Sequence, residues 1–423
     1  MKRLIFVFIL LIGFSSISTA QNLNGRFTSA VYSYERATSL YESETNLRNF
    51  NILSLNVNKD QFSLKTRMNF ETDLSASYDN DPRLRLYNLY LEGRNLFNIA
   101  TVKVGRQSII NSFGGLYDGV NLKFKYSDYS LTTYFGGNVP AYQKFELTDD
   151  LKEDYIMGAK FSTWFMDGLK LNLNYVRKNF KPLEYETMRL DQDFHPITYL
   201  VRKNSQQYQF VSADAHYYQK NEFNVDAKID YDLNFKVLSK FQIGGKIYAT
   251  DKLGVNLFYN YREPRIAYNS IFSVFNYGNS QEIEAGVDYK INKLFTAVCK
   301  FANVEYEDDN SARLYAGLNS KYGNISYRKT FGVAGELDAV SIYTAKTLLD
   351  GMLTPSVGIS YTSYKLSEDE EDSNNLVSLL AGVNIRPWKK FSFDLQGQYT
   401  DNEIYKNDFR FLLKINHWFN TNF

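Results

Sequence analysis

The chain has 423 residues, and 48 Lys plus Arg stand against 47 Asp plus Glu. That balance excludes the basic excess by which nucleic-acid binders hold phosphate, and the single cysteine, Cys299, excludes an intramolecular disulfide framework. With 34 Tyr, 32 Phe, 7 Pro and a mean hydropathy of −0.38, the composition is also unusual for a soluble secreted protein.

The first segment, MKRLIFVFILLIGFSSISTAQ, has the three parts of a secretory signal peptide. Lys2 and Arg3 form the charged start, 4–14 the apolar stretch, and Ser18, Thr19 and Ala20 a small-residue cleavage site. The apolar stretch is too short for a membrane anchor, which needs about 20 residues. Residues 1–20 are therefore expected to be removed, leaving 21–423 as one domain. No later run is apolar and long enough for a spanning helix.

Beyond the signal the dominant pattern has period two, the signature of strands with one apolar and one polar face. In 61–70 (QFSLKTRMNF), Phe62, Leu64, Met68 and Phe70 oppose Ser63, Lys65, Arg67 and Asn69. In 120–126, Val120, Leu122, Phe124 and Tyr126 oppose Asn121, Lys123 and Lys125. Farther on, Phe223, Val225, Ala227, Ile229 and Tyr231 oppose Asn224, Asp226, Lys228, Asp230 and Asp232, and Phe391, Phe393 and Leu395 oppose Ser392, Asp394 and Gln396. A β-sandwich also alternates, but segments of about 10 to 12 residues match tilted membrane strands. Weak strands are read near 84–91 and 233–238.

Connections alternate in length. Short ones fall at 58–60, 127–128, 166–168, 219–221, 251–252, 292–293 and 387–389. Long polar ones fall at 35–46, 71–82, 138–154, 181–205, 262–279, 305–311 and 366–374. Outer-membrane barrels show the same alternation, with short periplasmic turns and longer external loops. The expected fold is all-β: a transmembrane antiparallel up-and-down β-barrel of about 22 strands, within a range of 16 to 22, without a plug domain.

The final stretch, NDFRFLLKINHWFNTNF, places Phe409, Phe411, Leu413, Ile415 and Phe419 in step with the terminal Phe423. It resembles the C-terminal strand of Gram-negative outer-membrane proteins. The mature chain as a whole resembles a porin-like outer-membrane barrel, at the level of architecture and without a substrate family. A TonB-dependent transporter is a poorer match, because strand character begins near Leu23 and leaves no room for a plug. The resemblance implies export through the secretion machinery, insertion by the barrel-assembly machinery, and a setting of outer-membrane lipid and lipopolysaccharide. Homo-oligomerisation is left open.

In such a barrel the apolar face meets lipid, where a midplane Lys or Arg costs about 2–4 kcal/mol. The charged face is accordingly assigned to the lumen. Lys65, Arg67, Lys123 and Lys125 form an early basic arc, and Asp226, Asp230, Asp232, Glu282, Glu284 and Asp288 a later acidic one across the lumen. Arg106 and Asp118, in KVGRQSIINSFGGLYDGV (103–120), are placed at the pore entrance. Strict alternation sets Arg106 on the face of Val102 and Val104, so a bulge is expected before it. The glycines there fit a backbone running close to a neighbouring wall, with 106–118 or 181–205 as candidates to dip inward. They form neither a nucleotide fingerprint nor a membrane-helix GxxxG. Tyr32, Tyr34, Tyr126, Tyr129, Tyr259, Tyr261, Tyr361 and Tyr364 are expected in the interfacial aromatic girdles.

Together these point to passive diffusion of small hydrophilic solutes. A structural, adhesive or secretion-associated barrel without a pore is the second reading. No cofactor or metal is implied, and GxSxG, HExxH and CxxC are absent. Asp214 and His216 share a strand face but fit a polar contact better than catalysis. The EDEED run at 368–372 is expected to be a solvated loop.

Overall fold

The computed structural model describes residues 22–37, 42–76, 81–109, 115–140, 146–148, 150–181, 183–190, 194–203, 207–220, 222–265, 278–306, 309–332, 335–365, 372–402 and 407–422. The expected signal, Phe423 and most of the EDEED run lie outside them.

The chain opens with β1 (Asn22–Ala37), β2 (Ser43–Lys59), β3 (Phe62–Asp73), β4 (Arg83–Leu96), β5 (Ala100–Ser108) and β6 (Leu116–Tyr126). It continues through β7 (Tyr129–Val139), β8 (Tyr155–Met166) and β9 (Leu169–Asn179). A hairpin follows, β10 (Leu183–Leu190) and β11 (Pro196–Lys203), whose strands pair only with each other. Next come β12 (Gln207–Gln219), β13 (Phe223–Asp232), β14 (Val237–Tyr248), β15 (Leu253–Arg262), β16 (Ser280–Lys290) and β17 (Phe295–Tyr306). The last are β18 (Asp309–Ser320), β19 (Gly323–Gly332), β20 (Leu337–Ala345), β21 (Leu353–Tyr364), β22 (Asn374–Trp388), β23 (Phe391–Asp401) and β24 (Asp408–Asn422).

Apart from the β10–β11 hairpin these strands form one 22-stranded antiparallel sheet. Each pairs with its chain neighbour, β9 pairs with β12, and β24 returns to β1 from Asn22↔Asn422 to Ser33↔Phe411. The sheet is thus a closed barrel with no free edge, the arrangement that lets lipid surround a β-protein. No plug domain precedes β1 among the described residues.

At the end where Asn22 and Asn422 meet, the links are mostly short, as at 60–61, 127–128, 167–168 and 321–322. Links at the other end include 140–154, 180–206 and 263–279. Three expectations need correction. Residues 233–236 are the turn between β13 and β14 rather than a strand. The connection read at 305–311 shrinks to 307–308, because β17 and β18 run farther than the polar sequence suggested. The loop read at 181–205 contains the β10–β11 hairpin, whose polar residues lack the alternation that marks a half-buried strand.

Register makes the two faces continuous around the ring. Lys123 pairs with Thr132, Thr132 with Lys160, Lys160 with Asn174, Asn174 with Ser212, and Ser212 with Asp230. Lys123, Thr132, Lys160 and Asn174 line one concave cavity, so this row faces the interior. The alternate row faces out: Leu257, Ile283 and Phe301 are 56%, 60% and 50% exposed. Apolar exposure that is continuous across neighbouring strands needs an apolar surrounding. Of the tyrosines expected in girdles, Tyr126, Tyr129, Tyr259, Tyr261 and Tyr361 lie on outward positions. Tyr32, Tyr34 and Tyr364 share the inward parity instead, because Tyr32 lies two residues along from Ala30, the partner of Lys414.

Candidate functional site: the interior wall of the barrel

On β3, Lys65 and Arg67 stand at inward positions, opposite Tyr90 and Asn88. Lys65 Nζ lies 2.6 Å from Glu92 Oε2, and Lys103 Nζ of β5 lies 3.6 Å from Glu92 Oε1. Both ammonium groups also approach the Tyr90 ring, and the Arg67 guanidinium sits 5.6 Å from the Tyr87 ring centroid. Glu92 thus gathers two lysines, a pairing hidden in the sequence because β4 alternates poorly: a register shift follows Arg67 and displaces Tyr87.

Lys123 and Lys125 are inward on β6, with Lys160 on β8 and Lys170 on β9 beside them. None of these four makes an ion pair among the described residues, although Lys170 Nζ stands 5.7 Å from the Trp164 ring centroid. Lys160 and Lys170 were missed in the sequence, where each is the lone charge in an otherwise uncharged strand half.

The acidic positions are mostly neutralised. Asp226 accepts from His216 Nδ1, and Asp230 lies 2.7 Å from Arg265 Nη2. Glu282 pairs with Arg313, Glu284 with Lys300 at 2.9 Å, and Asp288 with Lys246. Asp232 has no cationic partner among the described residues and accepts the backbone N–H groups of Asn234 and Phe235 at 2.8 and 3.1 Å. Asp214 turns away from His216, accepting from Asn172 at 2.5 Å, so the two residues that could have oriented an imidazole are not paired.

The arcs oppose each other only in part. β16 is eleven strands from β3, half of the 22-strand ring, whereas β6 is five steps from β13. Arg106 and Asp118 differ further. The β5–β6 register is unbroken from Ala100 to Ser108, so the bulge expected ahead of Arg106 does not occur in that pair. Arg106 stands directly opposite Asp118, in step with Val104 and Val120 rather than with Lys103 and Asn121. Its Nε and Nη2 donate to the two Asp118 carboxylate oxygens at 2.8 and 2.7 Å. The side chains are only 4% and 11% exposed. This is a closed bidentate clamp between two strands.

Beside it, a hydrogen in place of a side chain at Gly119 lets β6 and β7 approach. A Cβ there would lie 2.1 Å from the Phe135 carbonyl oxygen. Gly115 holds φ +131, and a Cβ on it would lie 3.3 Å from Lys178 Nζ on β9, so the end of the 109–115 link lies over the inner wall. Tyr117, Ile156, Val176 and Phe210 all occupy inward positions yet are at most 2% exposed, with Ile109 packed on them. Arg265, just past β15, places its guanidinium 5.9 Å from the Phe210 ring centroid. Side chains from two loop ends therefore cover an apolar patch inside the barrel, which the strand pattern could not reveal.

Two recesses, of ≈ 640 and ≈ 560 Å³, indent the wall between β4 and β9. Among the described residues no three His, Cys, Asp or Glu side chains group as metal ligands.

A closed antiparallel barrel of 22 strands with an apolar outside and a polar inside defines the class: a porin-like outer-membrane β-barrel. The chain is similar in outline to OccAB3 of Acinetobacter baumannii, at 12% identity and TM-score 0.44 over 94% of this chain and 99% of that one. OpdL of Pseudomonas aeruginosa is similar at 10% identity and TM-score 0.44, over 95% and 98%. The P pilus usher (PapC) translocation pore is similar at 10% identity and TM-score 0.40, over 94% and 99%. No protein-family model and no curated protein matches the chain.

Proposed function

We propose that this protein is an outer-membrane channel for passive diffusion of small hydrophilic solutes. The observation that carries the reading is the continuous charged and amide-rich inner face of a closed 22-stranded ring. Eight-stranded barrels fill with their own side chains, whereas barrels of 16 to 18 strands leave an aqueous channel. Ion pairs such as Lys300–Glu284 and Arg313–Glu282 keep that wall wet and polar. Residues 1–20 direct export and are cleaved, and 21–423 are inserted by the barrel-assembly machinery among lipid and lipopolysaccharide. The lumen then carries solutes without energy coupling.

Purified protein in a planar bilayer is expected to give stepwise conductance, and proteoliposomes to swell in solutions of small sugars or amino acids. Silence in both assays, with a heat-modifiable folded band on the gel, overturns the channel. Deletion of the gene then distinguishes the structural or adhesive reading, through lost attachment rather than slowed uptake.

A further inference from the structure

We infer that the lumen wall of β6–β9 holds an anion-binding site, formed by Lys123, Lys125, Lys160 and Lys170, for small solutes with at least two carboxylate or phosphate groups. The inference rests on the channel reading and specifies the solute it favours. Its basis is an asymmetry of pairing. Elsewhere on the inner wall most acidic groups meet cations: Asp230 with Arg265, Asp288 with Lys246, Glu282 with Arg313, Glu284 with Lys300, Asp394 with Lys414. The four lysines have no such partner among the described residues.

They share one recess of ≈ 560 Å³, whose lining includes four lysines and a single carboxylate, Asp128. Like charges held together without counter-charge raise the local potential and are relieved by a bound anion. Lys123 and Lys160 flank Thr132 in one cross-strand row. Their Cα atoms are two interstrand steps apart, about 10 Å, so flexible ammonium arms can converge on one small dianion. Ser130, Thr132 and Ser162 line the same recess and supply hydroxyl donors. A lone anion would be served by one or two lysines, whereas this spread of four suits a multiply charged solute. The recess adjoins the 127–128 and 167–168 turns, at the end where the chain termini meet. A solute would therefore reach it after passing the covered patch of Tyr117 and Phe210, toward the opposite end.

The test compares the wild type with a quadruple Lys→Gln variant (K123Q, K125Q, K160Q, K170Q) and a quadruple Lys→Arg variant at the same positions. Heat-modifiable mobility checks folding. Bilayer reversal potentials under a KCl gradient report selectivity, and calorimetric titration of detergent-solubilised protein with citrate and with inorganic phosphate reports binding. Expected are anion preference and citrate binding in the wild type, both kept by the arginine variant. In the glutamine variant selectivity shifts toward cations and citrate affinity falls about tenfold or more. Unchanged selectivity and affinity in a folded glutamine variant overturn the site. If no variant conducts, the channel reading fails by itself, and the titration still decides the site: citrate binding lost on Lys→Gln supports it, absent binding overturns it. Phosphate binding as tight as citrate assigns the site to phosphate oxygens, and citrate alone to carboxylates.

Discussion

At the scale of single residues, the clearest contrast is between charges that are closed on themselves and charges that are not. Arg106 and Asp118 form a bidentate, nearly buried pair, in which both guanidinium edges facing the carboxylate are used. Removing one member leaves a desolvated charge with no partner. Arg106→Ala is therefore expected to destabilise the barrel by about 3–5 kcal/mol, read as a lower denaturant midpoint in detergent, while ion selectivity stays unchanged. A loss of anion preference with unchanged stability would return Arg106 to the pore entrance. Lys246 gives the opposite case. It donates to Asp288, whose carboxylate also accepts from Asn256 at 3.1 Å. Lys246→Gln unmasks that carboxylate on the lumen wall, so the bilayer reversal potential is expected to move toward cations. An unmoved potential would show that Asp288 is remote from the permeating ions.

At the scale of elements, strand spacing is controlled by the few positions that lack a side chain. Gly119 faces the Phe135 carbonyl across the β6–β7 pair, and a Cβ would lie 2.1 Å from that oxygen. A Cβ on Gly397 of β23 would have no described neighbour within 4 Å. Gly119→Val is expected to lower the yield of heat-modifiable barrel sharply, whereas Gly397→Val is expected to fold as the wild type does. Equal yields would mean that β6 can shift without loss. Periodicity in β3, β6 and β13 was legible because each alternates cleanly. It was poorly legible in β4, where the register shift after Arg67 displaces Tyr87, and in β10–β11, whose strands pair only with each other. The extensions of β17 to Tyr306 and of β18 back to Asp309 were hidden by polar residues that still pair in register, as Glu305↔Asn310 does. Polar composition signals a loop only where backbone groups lack a partner strand.

At the scale of the molecule, closure is what makes the rest stable. β24 pairs with β23 on one side and β1 on the other, so removing it opens two edges at once. A chain ending at 407 is expected to give no heat-modifiable band. A stable band would mean that β23 and β1 can close a smaller ring. The outer face has its own constraint. Ile283 is 60% exposed on β16 and points away from Glu282 and Glu284. Ile283→Lys would put an ammonium group on the lipid face and is expected to cost up to about 2–4 kcal/mol, the cost being largest at the membrane midplane. Unfolding from lipid vesicles would report it, and an effect no larger than that of a loop lysine would place Ile283 outside the hydrocarbon.

The sequence by itself determined the class of fold and which face of each clean strand is charged. Both follow from local rules: side chains alternate along a strand, and lipid rejects charge. The same rules placed Lys65, Arg67, Lys123, Lys125 and the acidic residues of β13 and β16 on the inward parity. Only the tertiary structure decided which charges are cancelled. Whether Glu284 meets Lys300, or Lys160 meets no carboxylate among the described residues, depends on which strands are neighbours and in what register. It also decided that Arg106 locks against Asp118 and that Ile109 and Arg265 cover an apolar patch within the barrel. These contacts join residues far apart in the chain, and alternation along one strand carries no information about the partner that closes beside it.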